Sequence, residues 1–426
     1  MRDFAWLKRL FSRGDARPCS LLITQVYVPD PAAVGQYMHE VARALVARGQ
    51  RAIVLAADSG YDDPSLRYPR HELLDGVEVV RLPWASFGKA RLSVRLLGGC
   101  IFTGEAALLA AALPRVDHVL MSTSPPMVAL AGLTVSLAQG APLSFWAMDL
   151  NPDQIVATGR LAPNALPVRG FDWLNRHTLV HARSIITLDH FMAERLAAKA
   201  PIAPKLHVIP PWPLFMPSGL GSDAGQRFRR AHGWEGKRVV MYSGNLSPVH
   251  PVETVLHAAR ELRDDSRLLF AFVGGGLGRD AIARYVAEHA LPNVQLLPYQ
   301  PVSELSESLS AADVHLVCMG ENMVGVVHPS KIYSALAVAR PILALGPRGS
   351  HIAELVLAHG VGWHVEHGDL AGAVRALREL AGEDAAALER RCARAAALAH
   401  ARFDKRALLD QFCDRLAGPR CDVGVR

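Results

Sequence analysis

The sequence has no C-x-x-C pair. Its six cysteines, Cys19, Cys100, Cys318, Cys392, Cys413 and Cys421, are scattered along 426 residues. That argues against a disulfide framework and makes reduced thiols in a cytosolic protein the expectation. No apolar run reaches the length of a clean membrane span. The nearest are Pro126–Ala138, about one third too short, and Leu92–Leu113, which carries Arg95 and Glu105. Both read as buried helices. A signal-peptide plan is missing too, because Asp3 comes early and Lys8 and Arg9 cut the apolar stretch 4–11. Excess charge is small, a net +6, far from the density of a dedicated nucleic-acid binder, so no nucleic-acid partner is expected. Walker A, G-x-S-x-G, H-E-x-x-H and Cys/His ligand patterns are all absent, and no metal site is expected. His359, His364 and His367 read as a solvated loop.

What is present is a large apolar fraction, 50% against 20% charged, enough for sizeable cores and incompatible with whole-chain disorder. Short β-rich runs alternate with helical stripes. Leu21–Val28 is strand-like, then Val34, Met38, Val41 and Leu45 step by 4, 3 and 4, then Ala52–Ala57 is strand-like again. Further runs follow at Val77–Leu82, His118–Ser122, Leu143–Ala147, Ser184–Leu188 and Leu206–Ile209. Pro210, Pro211, Pro213 and Pro217 mark a linker. The alternation restarts at Arg238–Tyr242, Leu268–Val273, Val294–Leu297, Val314–Val317 and Pro341–Leu345. The pattern predicts an α/β protein with two doubly wound parallel-sheet domains, a ligand cleft between them, and two terminal helices at Glu383–Ala401 and Lys405–Leu416. The boundaries expected are 20–212 and 213–400, preceded by a basic segment 1–19 and followed by a helix and tail 401–426.

Four motifs lie where strands end. Gly244 and Asn245 follow the first strand of the second domain, either as a phosphate turn before a helix or as an ordinary tight turn. Gly274-Gly275-Gly276 is either a phosphate cradle or a flexible turn, since no G-x-G-x-x-G is complete. Gly325-Val326-Val327-His328-Pro329-Ser330-Lys331 leads into a helix. A lysine in a first helical turn is unfavourable without an anion, so Lys331 reads either as a contact for a diphosphate or as a solvated lysine beside a cleft. Asp149 and Asp153 follow a first-domain strand, for sugar hydroxyls or acid/base work, or as helix caps.

These pieces resemble the retaining GT-B glycosyltransferases of family 4, in the bacterial branch serving exopolysaccharide, colanic-acid-type and O-antigen assembly, over about residues 20–416. The segments 242–259, 272–276, 297–317 and 325–347 carry the resemblance, with 122–132 and 145–159 in the first domain. It implies a GT-B fold and a nucleotide-sugar donor, UDP- or GDP-linked, with no metal or other cofactor required. Gly244, Asn245, Gly275, Gly325, Val327, Ser330 and Ser334 would lie on the donor, Tyr299 and Gln300 at its base, and Lys331 and His328 at the diphosphate and sugar. Asp149 would be catalytic, with Gly35 and Asp153 on the acceptor side. Three positions depart from the family pattern. Val326 and Ser334 stand where a Glu-x7-Glu pair is common, Ser247 and His250 where Arg or Lys is common, and Met148 where His often precedes the Asp. A sugar-nucleotide epimerase and a non-catalytic assembly protein are the rival readings of such a fold.

The segment 1–19 carries five basic and two acidic side chains, a net +3, with Phe4, Leu7 and Phe11 spaced by 3 and 4. It reads as a weak anchor for an anionic membrane surface, with 92–97 as a second contact, or as a tail. The expectation is a cytoplasmic protein peripheral to the inner face of the plasma membrane, using a glycan or polyprenyl-diphosphate-linked acceptor.

Overall fold

The computed structural model describes residues 15–30, 32–60, 63–83, 92–214 and 222–417. The basic segment through residue 14, and the linker prolines and glycines between 215 and 221, lie outside the described residues. The chain forms two compact units, one from the N-terminus to Pro210 plus Arg406 onward, the other Pro211–Lys405.

The first unit is built on β1 (Cys19–Ile23), β2 (Arg51–Ala57), β3 (His71–Leu74), β4 (Val77–Leu82), β5 (His118–Met121), β6 (Leu143–Trp146), β7 (Ser184–Thr187) and β8 (Leu206–Val208). They form one sheet in the order β3-β4-β2-β1-β5-β6-β7-β8. All neighbours are parallel except the edge pair β3 and β4. β1, β2 and β4 are buried at every position, because helices cover both faces and leave no polar side to alternate with. Right-handed crossovers fix which helix covers which face. The helix Ala33–Ala47 lies on one side. Leu92–Ala112, Val128–Gln139, Leu166–His181 and His190–Ala197, which all carry the chain toward β8, lie on the other.

The second unit contains β9 (Arg238–Ser243), β10 (Leu268–Val273), β11 (Val294–Leu297), β12 (Val314–Cys318), β13 (Ile342–Leu345) and β14 (Gly362–Val365). They form a parallel sheet in the order β11-β10-β9-β12-β13-β14. The period of 2 sorts its core cleanly. Val240, Tyr242, Phe270 and Phe272 join one buried cluster, and Val239, Met241, Leu269 and Ala271 the other.

The last helix, Lys405–Ala417, expected as a terminal helix, packs in the first unit. Phe412 and Cys413 are fully buried there, the Phe412 ring tilted against Trp146 with centroids 4.3 Å apart, while Arg48 pairs with Asp410 and Asp414 at 2.7 and 2.6 Å. Two expectations are corrected. His359 to His367 is not a solvated loop. His364 sits on β14 with Nε2 on the Gly346 carbonyl at 2.9 Å. His367 reaches the Met319 carbonyl at 2.8 Å. Finally, Leu92–Ala112 and Val128–Gln139 are helices, but each leaves one apolar side exposed.

Candidate active site

The second sheet reverses direction between β9 and β12. β10 and β11 extend it on one side, β13 and β14 on the other. Loops leaving the carboxyl ends of such a strand pair diverge and open a crevice. One loop begins at Gly244. The other ends at Lys331, the first residue of the helix Lys331–Ala337.

The two loops meet there. Gly244 has φ +124°, and a methyl group on it would lie 2.8 Å from Lys331 Cε. Gly274, at φ +141°, packs directly against Gly244, whose carbonyl a Cβ would strike. Only glycine allows both the backbone angle and this approach. Main-chain bonds lace the turns together: Gly244 N–H to the Val273 carbonyl at 2.8 Å, and Leu246 N–H to the Gly275 carbonyl at 2.7 Å. Arg279 braces them, its guanidinium donating to the carbonyls of Gly274 and Leu297 at 3.1 Å each. The Tyr299 ring stands over Gly275, and its hydroxyl donates to the Gly275 carbonyl at 3.5 Å. Gln300 bonds locally, to the Pro298 carbonyl at 3.0 Å.

Lys331 is the electrostatic centre of this arrangement. Its ammonium lies 5.0 Å from the centroid of the Tyr242 ring, and the Tyr242 hydroxyl donates to the Asn245 carbonyl at 2.6 Å. Burial pushes its pKa down to about 8. Among the described residues no carboxylate pairs with it. Nearby His250 is driven down to about 3, first by burial and then by the Lys331 charge, although its bond to the Cys318 carbonyl opposes this. Its Nδ1 donates to that carbonyl at 2.8 Å, so the ring stays neutral and competes for no anion. A desolvated, unpaired cation beside a glycine turn is unfavourable alone and suited to a phosphate oxygen.

The rest of the segment is placed around this lysine. Gly325 is at φ +68°. Val326 and Val327 are buried, and Ser330 and Ser334 are half-buried. His328 is held by aromatic partners, stacked on His351 at 3.9 Å and bonded through Nε2 to the Tyr333 hydroxyl at 2.7 Å.

Two family models divide the chain: the glycosyl transferase 4-like domain matches residues 32–212, and glycosyl transferases group 1 matches 225–398. The chain belongs to the family-4 GT-B glycosyltransferases. A protein of Pseudomonas aeruginosa named as a glycosyltransferase, WbjE, is 25% identical over 64% of this chain and 68% of its own. WcaI of Escherichia coli, named for colanic acid biosynthesis, is 26% identical over 73% of this chain and 79% of its own. In fold, the chain resembles Anabaena HepE solved with UDP and glucose, with TM-score 0.69, 15% identity, and 94% and 99% of the two chains covered. It also resembles WaaG, a glycosyltransferase of lipopolysaccharide biosynthesis, with TM-score 0.67, 16% identity, and 94% and 100% covered.

The departures of this glycosyltransferase from its family have physical settings. Val326 is fully buried, so a carboxylate there would cost several kcal/mol, roughly the penalty of an unpaired buried ion. Met148, just before Asp149, is also buried. Sequence reasoning missed Tyr242 and Arg279. Tyr242 read as an ordinary strand residue. The signal for Arg279 was its place at the start of the helix after the glycine run.

On the other unit the candidate acidic residues separate. Asp149 is exposed, its amide donating to Thr123 Oγ1 at 3.1 Å. Asp153 is engaged, with Lys199 at 2.6 Å and Arg195 at 3.3 Å. It is the first residue of a short helix, Asp153–Ala157, and no side chain caps that helix. Both line a cavity of about 20 Å³ with Ser122, Thr123, Asn151 and Asn175, room for roughly one water. Gly35 is buried in the helix Ala33–Ala47, and a Cβ there would lie 2.8 Å from Tyr27 Cα. It allows that helix to press on the loop after β1.

Proposed function

We propose that this enzyme transfers a sugar from a UDP- or GDP-linked donor to a glycan acceptor on polyprenyl diphosphate, with retention, during assembly of a bacterial cell-surface polysaccharide. The observation that carries the reading is Lys331, unpaired and desolvated beside Gly244. Its family membership and a relative named for colanic acid biosynthesis support the substrate class. In this reading the second unit holds the donor. Lys331 and the amides of the Gly244 turn stabilise charge as it develops on the leaving diphosphate, and a fixed ammonium does this without a metal ion. Tyr299 flanks the base. The first unit holds the acceptor, with Asp149 as its exposed carboxylate. Catalysis takes place at the cytoplasmic face of the plasma membrane, where such lipid carriers are loaded.

Incubation with a panel of nucleotide sugars and a polyprenyl-diphosphate glycan tests this. Transfer should survive chelation, and the new bond should keep the donor's anomeric configuration by NMR. Conversion of UDP-GlcNAc without any acceptor would instead identify an epimerase. Nucleotide binding without transfer to any acceptor would identify an assembly protein.

A further inference from the structure

Surface helices normally turn a polar side to water. Two helices of the first unit do not. On Leu92–Ala112 the exposed positions Leu97, Cys100, Gly104, Leu108 and Ala111 form one stripe over four turns without a charge. On Val128–Gln139, which has no charged residue, the exposed stripe is Leu130, Thr134 and Leu137. Leu108 and Leu137 are 77% and 69% exposed. The helices are neighbours on one face of the sheet: Gln139 Nε2 donates to the carbonyls of Ala110 and Leu113 at 3.2 and 3.0 Å. The next helix, Leu166–His181, joins them through Ser136 Oγ and His181 Nε2 at 3.0 Å. It exposes Leu166, Trp173 and Val180 on one line, interleaved with the exposed Arg169 and Arg176.

We infer that this three-helix face is a docking surface for an anionic lipid bilayer. An apolar patch this broad marks an interaction surface. Its charge selects the occupant. Asp172 on the third helix is neutralised by Lys199 at 2.8 Å and Arg176 at 2.9 Å, and Arg169 lies exposed on the same line of that helix as Leu166 and Trp173. Leucine and tryptophan sink into the headgroup boundary while arginine meets lipid phosphate. Among the described residues no helix is long and apolar enough to cross a membrane, so the face lies on the bilayer rather than through it. The inference rests on the reading of a lipid-carried acceptor.

The test is sedimentation of the full chain with vesicles of phosphatidylethanolamine and phosphatidylglycerol, without donor or acceptor, so failure here leaves the transfer reaction separately measurable. The variant Leu97→Gln/Leu108→Gln/Leu130→Gln/Leu137→Gln changes only exposed side chains. It should bind these vesicles at least about tenfold more weakly while keeping wild-type nucleotide affinity, which reports its fold. Arg169→Glu should weaken binding about threefold, and only at low salt. Equal sedimentation of the leucine variant and wild type would overturn the proposal. So would a wild-type dimer in solution that the leucine variant converts to a monomer without any change in vesicle binding, because the face would then cover a second copy.

Discussion

The two sheets each reverse their strand order once, between β1 and β5 in the first unit and between β9 and β12 in the second. The two crevices are nonetheless opposite in chemistry. The second is made of backbone and basic side chains: glycine turns, the amides around them, Lys331, and Arg279 bracing the turns. At the first, Thr123 holds the amide of the exposed Asp149, while Thr24 and Ser122 are fully buried with their hydroxyls 3.3 Å apart. Topology dictates where a ligand is held. The side chains that finish each crevice differ, a lysine against glycine turns in one case and an exposed carboxylate in the other.

Removing the Lys331 cation should break this contrast most severely. Lys331→Met should lower turnover about 30- to 150-fold, the equivalent of the 2–3 kcal/mol of a charge-assisted phosphate contact. It should also stabilise the fold. The lysine's value drops from 10.5 unfolded to about 8 folded, so between those values the unfolded chain holds more protons and stability rises with pH. Below about 8 the ammonium is a burden, and Met relieves roughly 1–3 kcal/mol of it. Kinetics and thermal melts measure both. Unchanged turnover would remove Lys331 from the donor site, and a lowered melting temperature would make it a structural lysine.

Asp149→Asn should produce the next largest loss, at least about tenfold in kcat, with nucleotide affinity within about twofold of wild type. Calorimetry with UDP and GDP separates the two effects. Nucleotide affinity falling in step with kcat would erase the division of labour between the units.

A milder perturbation is pH. As pH rises through about 8, Lys331 loses its proton. A bound diphosphate favours the charged form, so nucleotide binding should raise the lysine's pKa and weaken by about tenfold between pH 7 and 10. His250 stays neutral throughout this range. The dependence should vanish in Lys331→Met, and its survival there would assign the titration to another group.

Most of the parallel sheet was legible because its strands are continuous apolar runs, as in Arg238–Ser243 and Leu268–Val273. β3 and β14 were not. β3 is an antiparallel edge with Leu73 in solvent, and β14 is four residues beginning at a glycine. For the site, strand ends alone marked Gly244 and Lys331 as candidates. That they touch across 87 positions of sequence depends on β9 and β12 being neighbours, which no local pattern announces. The exposed leucine stripes were hidden for a related reason: a helix apolar on all sides does not reveal which side its sheet will cover.

The smallest expected effect separates two acids only four residues apart. Asp153 was a candidate equal to Asp149 by position, yet its carboxylate is held by Lys199 and Arg195, and Lys199 is as buried as Asp153 itself. A carboxylate so engaged serves the packing of helix against helix. Asp153→Asn should therefore lower kcat by less than about threefold. The cost should fall on stability instead, and it should be modest. Lys199 keeps Asp172 at 2.8 Å, so no buried ammonium is orphaned, and Arg195 is exposed enough to be solvated. About 1–2 kcal/mol is expected, the range of a hydrogen bond to a charged group. Urea denaturation and steady-state kinetics on Asp153→Asn and Asp149→Asn should thus move in opposite columns, one losing stability and the other turnover. If Asp153→Asn instead loses turnover as heavily as Asp149→Asn with its stability intact, the ion pairs with Lys199 and Arg195 are not what Asp153 is for, and both acids belong to the acceptor.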